Sequence, residues 1–422
     1  MFMRRKKSKL MKLYFFMYSF TIIIFFISCD NMNTALIWTD RPELALYAEY
    51  FNTVQNQYKV SVRFMESPVT ELRRTNSPDI IIASWLKNSS TQANFKSLNN
   101  LFGARKLSRN IFYPLLLTFG RIDKNQYLLP VSFNIPALVF SRERTEELSN
   151  QFTIDFDEIK ILSMNFNTES RGAYTRLGFS PLWNDNFLYA AAVLSGASFA
   201  DADPLSWDHE ALERSMDFII AWTNEINTSL KADEDFTFKY FFEPPGKLIQ
   251  SGRILFSFMD SKELFLLSEG SRKFIDFRWI MEQNNILLAE DIVYLGIPKW
   301  AKSDHAARAF INWLFKIENQ RLLLEYFKFN GINENIFGIC SGFSALISVT
   351  EQVFPLFYPE LVGRMPPSEY FTEPVVMPRR WSAIKERVVL PYLSERARKN
   401  SVNEEEIVPL ERRLSDWMLQ YR

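Results

Sequence analysis

The side chains best suited to covalent or metal chemistry are scarce in this sequence. Its 422 residues hold two cysteines, Cys29 and Cys340, and two histidines, His209 and His305. Two cysteines are too few for a disulfide framework, and two histidines argue against a histidine-based zinc site. Cys340 sits among small and apolar residues with no histidine near it in sequence, the setting of an inert buried thiol. No GxSxG, HExxH, P-loop or GxGxxG pattern occurs. Carboxylates are numerous, but no pair is spaced to single out a general acid and base. The sequence thus implies no catalysis, no metal and no cofactor. What remains is reversible chemistry: aromatic faces, carboxylates, amides and guanidinium groups that can hold a polar molecule without changing it.

Composition narrows the class further. The apolar fraction of 47% is ample for a core, and the length suggests two or three lobes. Lysine plus arginine and aspartate plus glutamate balance at 49 each. The balance is uneven along the chain: Arg4, Arg5, Lys6, Lys7, Lys9 and Lys12 precede the first acid, Asp30. Without residues 1–28 the net charge is about −6, which argues against nucleic acid as the partner, because phosphate binding needs a basic surface. The 39 phenylalanines and 13 glycines read as genomic composition bias, not as function.

Periodicity supplies the elements that would position a site. Thr34–Trp38 reads as a strand, and Asp40 or Thr39 could cap the helix that follows, whose apolar face carries Leu46, Tyr50 and Phe51. Val60, Val62 and Phe64 alternate as a second strand, and Ile80–Ile82 is a short apolar run of the buried parallel type. This βαβαβ order predicts an open parallel sheet with its ligand edge at the strand C-termini. Trp85, just past the third strand, would stand at that edge, although a core position also fits it. Farther on, Ile159–Phe166 reads as a strand, 168–183 as loop, and Asn184–Ser195 as a helix stopped by Gly196. Leu212, Met216, Ile219 and Trp222 repeat at helical spacing and read as core. Asp304 reads as the cap of a helix lined by Ala309, Phe310, Trp313, Leu314 and Ile317. The tail carries an amphipathic stretch from Ile384 to Leu393, and the Glu404–Glu406 acid run reads as a solvated face.

The stretch that ties these pieces together is Tyr127–Arg144, YLLPVSFNIPALVFSRER. Pro130 and Pro136 break it into two apolar runs, as suits a chain passing from one packed unit to another. It resembles the first interlobe crossover of the extracellular solute-binding proteins of ABC importers, the maltose/oligosaccharide-like group, whose pattern there is roughly aPvsfntpaLvYnkd. Other segments resemble the group in the same order: PDII at 78–81 with its Ala83-Ser84-Trp85 loop, Leu194-Ser195-Gly196-Ala197, GRILFSFMD at 252–260 as the second crossover, and AFINWLFKIENQ at 309–320. Gly331–Ser344 would then carry the third crossover. The resemblance spans roughly residues 34–395.

The resemblance implies a two-lobe periplasmic-binding-protein fold of α/β class. Each lobe would be a mainly parallel sheet flanked by helices, with three crossovers between them. Residues 29–132 with 261–330 would form lobe 1, and 133–260 with 331–422 lobe 2. It points to a ligand site at Asp40, Arg41, Ser84, Trp85, Asn134, Trp183, Asn184, Asp185, Asp260, Ser261 and Trp381. Asn134 stands where members of the group often carry an acid. Asp40 equally suits a helix cap, and Arg41 a surface charge. The implied partners are a small solute, with sugar as the group's prior, and an ABC permease; the implied state is a monomer.

Residues 1–29 resemble a lipoprotein export signal. A basic start leads into the apolar run Leu13–Ser28, shorter than the roughly 20 residues a spanning helix needs. Phe26-Ile27-Ser28-Cys29 resembles a lipobox, with Phe26 in place of the usual leucine. Cleavage after Ser28 and acylation of Cys29 would anchor the chain to a membrane, facing the periplasm or the cell exterior. A non-transport surface lipoprotein on the same fold, such as a sensor, adhesin or antigen, is the alternative reading.

Overall fold

The computed structural model describes residues 33–103, 106–202, 204–398 and 407–420. Cys29 and the lipobox therefore lie outside the described residues. The principal strands, in chain order, are β1 (Thr34–Thr39), β2 (Lys59–Phe64), β3 (Ile80–Ala83), β4 (Leu129–Phe133), β5 (Pro136–Ser141), β6 (Thr153–Ile154), β7 (Phe256–Asp260), β8 (Ile275–Glu282), β9 (Asn285–Ile286), β10 (Val293–Gly296) and β11 (Phe343–Ser344). They form two large sheets. The first is 6-stranded in the order β11-β4-β10-β3-β1-β2; the second is 5-stranded in the order β7-β5-β8-β9, with β6 beside β8.

Fully apolar β3 is buried at every residue, as its composition predicts. β1 pairs in parallel with β2 and β3. β10, delivered by a crossover, runs antiparallel to β3 and β4, and β11, which follows it within the same lobe, is antiparallel to β4. The second sheet is antiparallel apart from β6 against β8. The expectation of mainly parallel sheets thus holds only for β1–β3, where each strand returns through its own helix. A strand that enters from the other lobe arrives with the opposite polarity.

The side-chain alternation of β5 separates two cores. Ala137 and Val139 join the apolar cluster that fills the first sheet, while Leu138 and Phe140 join a second cluster on the opposite face. That second cluster holds the Leu212, Met216, Ile219 and Trp222 face, as periodicity indicated.

The chain crosses between the sheets three times. The first crossing, Asn134–Ile135, is where the sequence placed it. The second is not at 252–260: that segment ends in β7, which pairs with β5 inside the second sheet. The chain returns instead between β9 and β10. The third is not at 331–344 either, because β11 there pairs with β4 in the first sheet. The passage comes after Phe371, which bridges to Ile286. The lobe boundaries expected from the sequence shift accordingly: β8 belongs to the second sheet and β11 to the first. The crossings lie side by side, with Ala289 N donating to Asn134 O at 2.9 Å and Thr372 N to Ile286 O at 2.9 Å.

Two local readings also change. Residues 156–166 are helical, not a strand, because Asp155 caps them by accepting from Glu158 N. The 168–183 stretch folds its first half into a hairpin, Thr168–Ser170 against Ala173–Arg176.

Candidate functional site

A cleft of about 1030 Å³ opens between the two sheets, at the C-terminal ends of β1 and β3. Its first-lobe wall carries Asp40, Arg41, Ser84 and Trp85, and its second-lobe wall Asn184 and Asp260. These six of the eleven sequence-selected positions come together across more than two hundred residues of chain.

Arg41 organises the floor. Its Nη2 donates to Ser84 Oγ at 2.5 Å, to Asp291 Oδ2 at 3.2 Å and to Asp291 O at 3.3 Å. Asp40 caps no helix; Glu43 holds the cap position, and Asp40 Oδ2 instead accepts from Ser84 N at 3.1 Å. Burial pushes the Asp40 carboxyl above its ordinary range, against the opposing pull of Arg41. Asp40 Oδ1 lies 3.5 Å from Arg41 Nε, and neither atom has a hydrogen-bond partner. Arg41 is thus a part-buried, paired cation, not a free surface charge.

Trp85 is half-buried with φ at 61°, in the left-handed region that bulky residues avoid. Such a conformation persists only where its surroundings impose it, and it clusters at binding sites. The turn carries the indole to the cleft mouth. Asp260, at the end of β7, caps the helix Ser261–Leu266 in a capping box with Glu263. Burial, together with the negative charges of Glu263 and Asp291, pushes its carboxyl up to about 6. Its carboxylate oxygens can accept hydrogen bonds from the hydroxyls of a ligand.

Five sequence-selected positions lie elsewhere. Asn134 is 6% exposed and knots the crossings: its Oδ1 accepts from Ser261 Oγ at 2.7 Å and its Nδ2 donates to Ser341 O at 3.0 Å. Ser261 is fully buried within that knot. A Cβ on Gly342 would lie 2.7 Å from Phe133 O and 3.1 Å from Asn134 Nδ2, so only glycine lets the two segments approach. Trp183 packs into the second lobe, stacked on Phe236 with its Nε1 donating to Asp233 at 3.2 Å. Asp185 lies in the first turn of the helix Asp185–Leu194, where its charge suits the helix dipole. Trp381 is core, with its indole donating to Glu290 at 3.3 Å.

The sequence reading missed Glu290, Asp291 and Lys385. Glu290 and Asp291 sit on the true second crossing, which the motif at 252–260 had displaced. Glu290 pairs with Lys385 at 2.9 Å in a nearly buried bridge, and Lys385 Nζ also lies 4.0 Å from the Tyr189 ring centre. Lys385 starts a π-helical turn, Lys385–Val389, inside an otherwise α-helical stretch. Among the described residues no group of three or more His, Cys, Asp or Glu could hold a metal ion. Cys340 is buried, and its thiol is pushed well up by that burial.

This architecture is a two-lobe α/β fold with a cleft between lobes joined by three crossings. Solved structures share it across nearly the whole chain. An ABC substrate-binding protein from Listeria monocytogenes in complex with cycloalternan aligns with a TM-score of 0.58 and 14% identity, covering 91% of this chain and 96% of its own. The cyclic alpha-maltosyl-1,6-maltose binding protein from Arthrobacter globiformis aligns at 0.56 and 16%, covering 86% and 92%. A maltose/maltodextrin-binding domain from Bdellovibrio bacteriovorus, bound to maltotriose, aligns at 0.53 and 14%, covering 86% and 97%. No protein-family model matches the chain, and no curated protein matches it.

Proposed function

We propose that the chain is the lipid-anchored solute-binding subunit of an ABC importer, capturing an oligosaccharide-like solute between its lobes by hinge closure. The observation that carries this reading is the Arg41–Asp291–Ser84 floor beside Trp85. Charged donors and acceptors lie next to an aromatic face, on the strand ends of one lobe, opposite Asp260 of the other. Such a set suits the hydroxyls and ring face of a sugar. The solved structures of the same fold hold saccharides, which supports the same ligand class here. Closure draws on ligand contacts to both walls, so ligand binds the closed form better than the open one.

Titration calorimetry with maltotriose and mannotriose tests the reading. Trp85→Ala is expected to weaken binding by about 2 kcal/mol or more, roughly thirty-fold in affinity. Its effect on apo stability should be smaller, because the indole is only half-buried. A folded protein that takes up no oligosaccharide would sink the saccharide reading. A large loss of apo stability with unchanged affinity would make Trp85 structural.

The anchor is proposed from Cys29 and the run before it. Among the described residues no helix is long and apolar enough to cross a membrane. Metabolic labelling with a lipid probe should mark the wild type and not Cys29→Ala; equal labelling of both would remove the anchor from the proposal.

A further inference from the structure

Beside the cleft lies a second pocket, of about 90 Å³. The two are adjacent, with Trp85, Tyr189 and residues 287–290 lining both. Its walls come from both lobes: Phe119, Ile292 and Tyr294 from the first, Val193, Phe199 and Met377 from the second.

Most polar groups around this pocket are already engaged, and Glu290, paired with Lys385, is left with one carboxylate oxygen without a partner. Lys87 Nζ donates to Arg121 O at 2.8 Å and lies over the Phe119 ring. The Tyr294 hydroxyl donates to Leu116 O at 2.9 Å, and the Ser198 hydroxyl to Gly196 O at 2.9 Å. Thr372 Oγ1 accepts from Leu288 N at 3.2 Å. A sugar ring pushed into this space would lose hydrogen bonds to water and recover few. A hydrocarbon group would lose none and would bury apolar surface against Trp85, Phe119 and Phe199. The volume compares with the roughly 150 Å³ of an apolar cavity that accepts benzene. Lying against the cleft, it suits a short alkyl chain or a single aromatic ring.

We propose that the solute taken by the cleft carries an apolar substituent, alkyl or aryl, joined to its polar part, and that this substituent docks in the side pocket between Trp85 and Phe199. The inference rests on the capture reading above and narrows it from plain oligosaccharides to hydrophobically substituted ones. It also gives the pocket a part in closure, since the substituent would touch both lobes at once.

The test compares maltotriose, 4-nitrophenyl maltotrioside and free 4-nitrophenol on the full-length protein by calorimetry. Val193→Trp fills the pocket from a position that does not line the cleft. Val375→Trp does so from a partly exposed segment, should the first variant not fold. The aryl glycoside is expected to bind wild type about tenfold or more tighter than maltotriose. The filled variant should erase that gain and leave maltotriose affinity unchanged. Equal affinities of the two saccharides in the wild type would overturn the proposal, as would a gain that survives in the folded, filled variant. If neither saccharide binds, 4-nitrophenol alone decides. Saturable binding blocked by the filling residue upholds the apolar pocket while the saccharide reading falls. Absence of such binding overturns the pocket proposal itself.

Discussion

Trp381→Ala is expected to lower the unfolding free energy by about 3–5 kcal/mol, the cost of removing a large buried aromatic. Trp381 is 1% exposed, with its ring centre 6.0 Å from that of Tyr189 and 6.1 Å from that of Phe199. Its partners in the second core include Ile384 and Val388, one and two turns along the same helical stretch. Truncation leaves a cavity bounded by rigid rings, which collapse poorly, so the high end of the range applies. Glu290 also loses the Trp381 donor and keeps Lys385. Trp381→Phe retains most of the packing and should cost about 1 kcal/mol for the lost hydrogen bond. Urea denaturation measures both. Ligand affinity of the folded fraction should change little, because the indole does not line the cleft. Unchanged stability with affinity lost would return Trp381 to the ligand site.

The second large effect is far from the cleft. Asp276→Ala should cost about 3–5 kcal/mol, because it strands a buried cation. Arg278 is 1% exposed, and its Nη1 donates to Asp276 Oδ2 at 3.1 Å. Arg364 grips the same carboxylate with both terminal nitrogens, and Thr145 Oγ1 donates to it at 3.1 Å. Removing the carboxylate leaves the Arg278 charge in place with only carbonyl partners, such as Asn150 O at 2.6 Å.

Acid should reproduce part of this loss in the wild type. Burial by itself would raise the Asp276 carboxyl, but the hydrogen bonds and charge of Arg364, with Arg278, outweigh it and hold the group below its ordinary value of 3.8. A carboxyl depressed on folding stabilises fully above its unfolded pKa of about 3.9, and that stabilisation fades as pH falls toward the folded value. The gap between wild type and Asp276→Ala should therefore be widest near neutrality and narrow below about pH 4. A gap under about 1 kcal/mol at neutral pH, or one that ignores acid, would contradict the assignment.

Whatever a few neighbouring residues decide was legible in the sequence. The β1–β3 run, the Leu212–Trp222 face and the inert Cys340 follow from periodicity and composition, which report burial without naming a partner. Four cleft positions, Asp40, Arg41, Ser84 and Trp85, were implied by the resemblance, and they lie at the C-terminal ends of parallel strands, where ligands gather. The helix at 156–166 escaped because its signal is one cap, Asp155, ahead of a run that is apolar enough for either element.

Only the tertiary structure decided which polar groups meet. Asn134 looks like a cleft amide in sequence, yet its side chain is spent on Ser341, 207 residues away, and Ser261, 127 away. Trp381 looks like a stacking platform, yet its indole is committed to Glu290, 91 residues away. The lobe to which β8 and β11 belong was likewise settled by pairing across the chain. An extended apolar strand satisfies its hydrogen bonds equally well in either sheet, and its own residues do not record which one receives it.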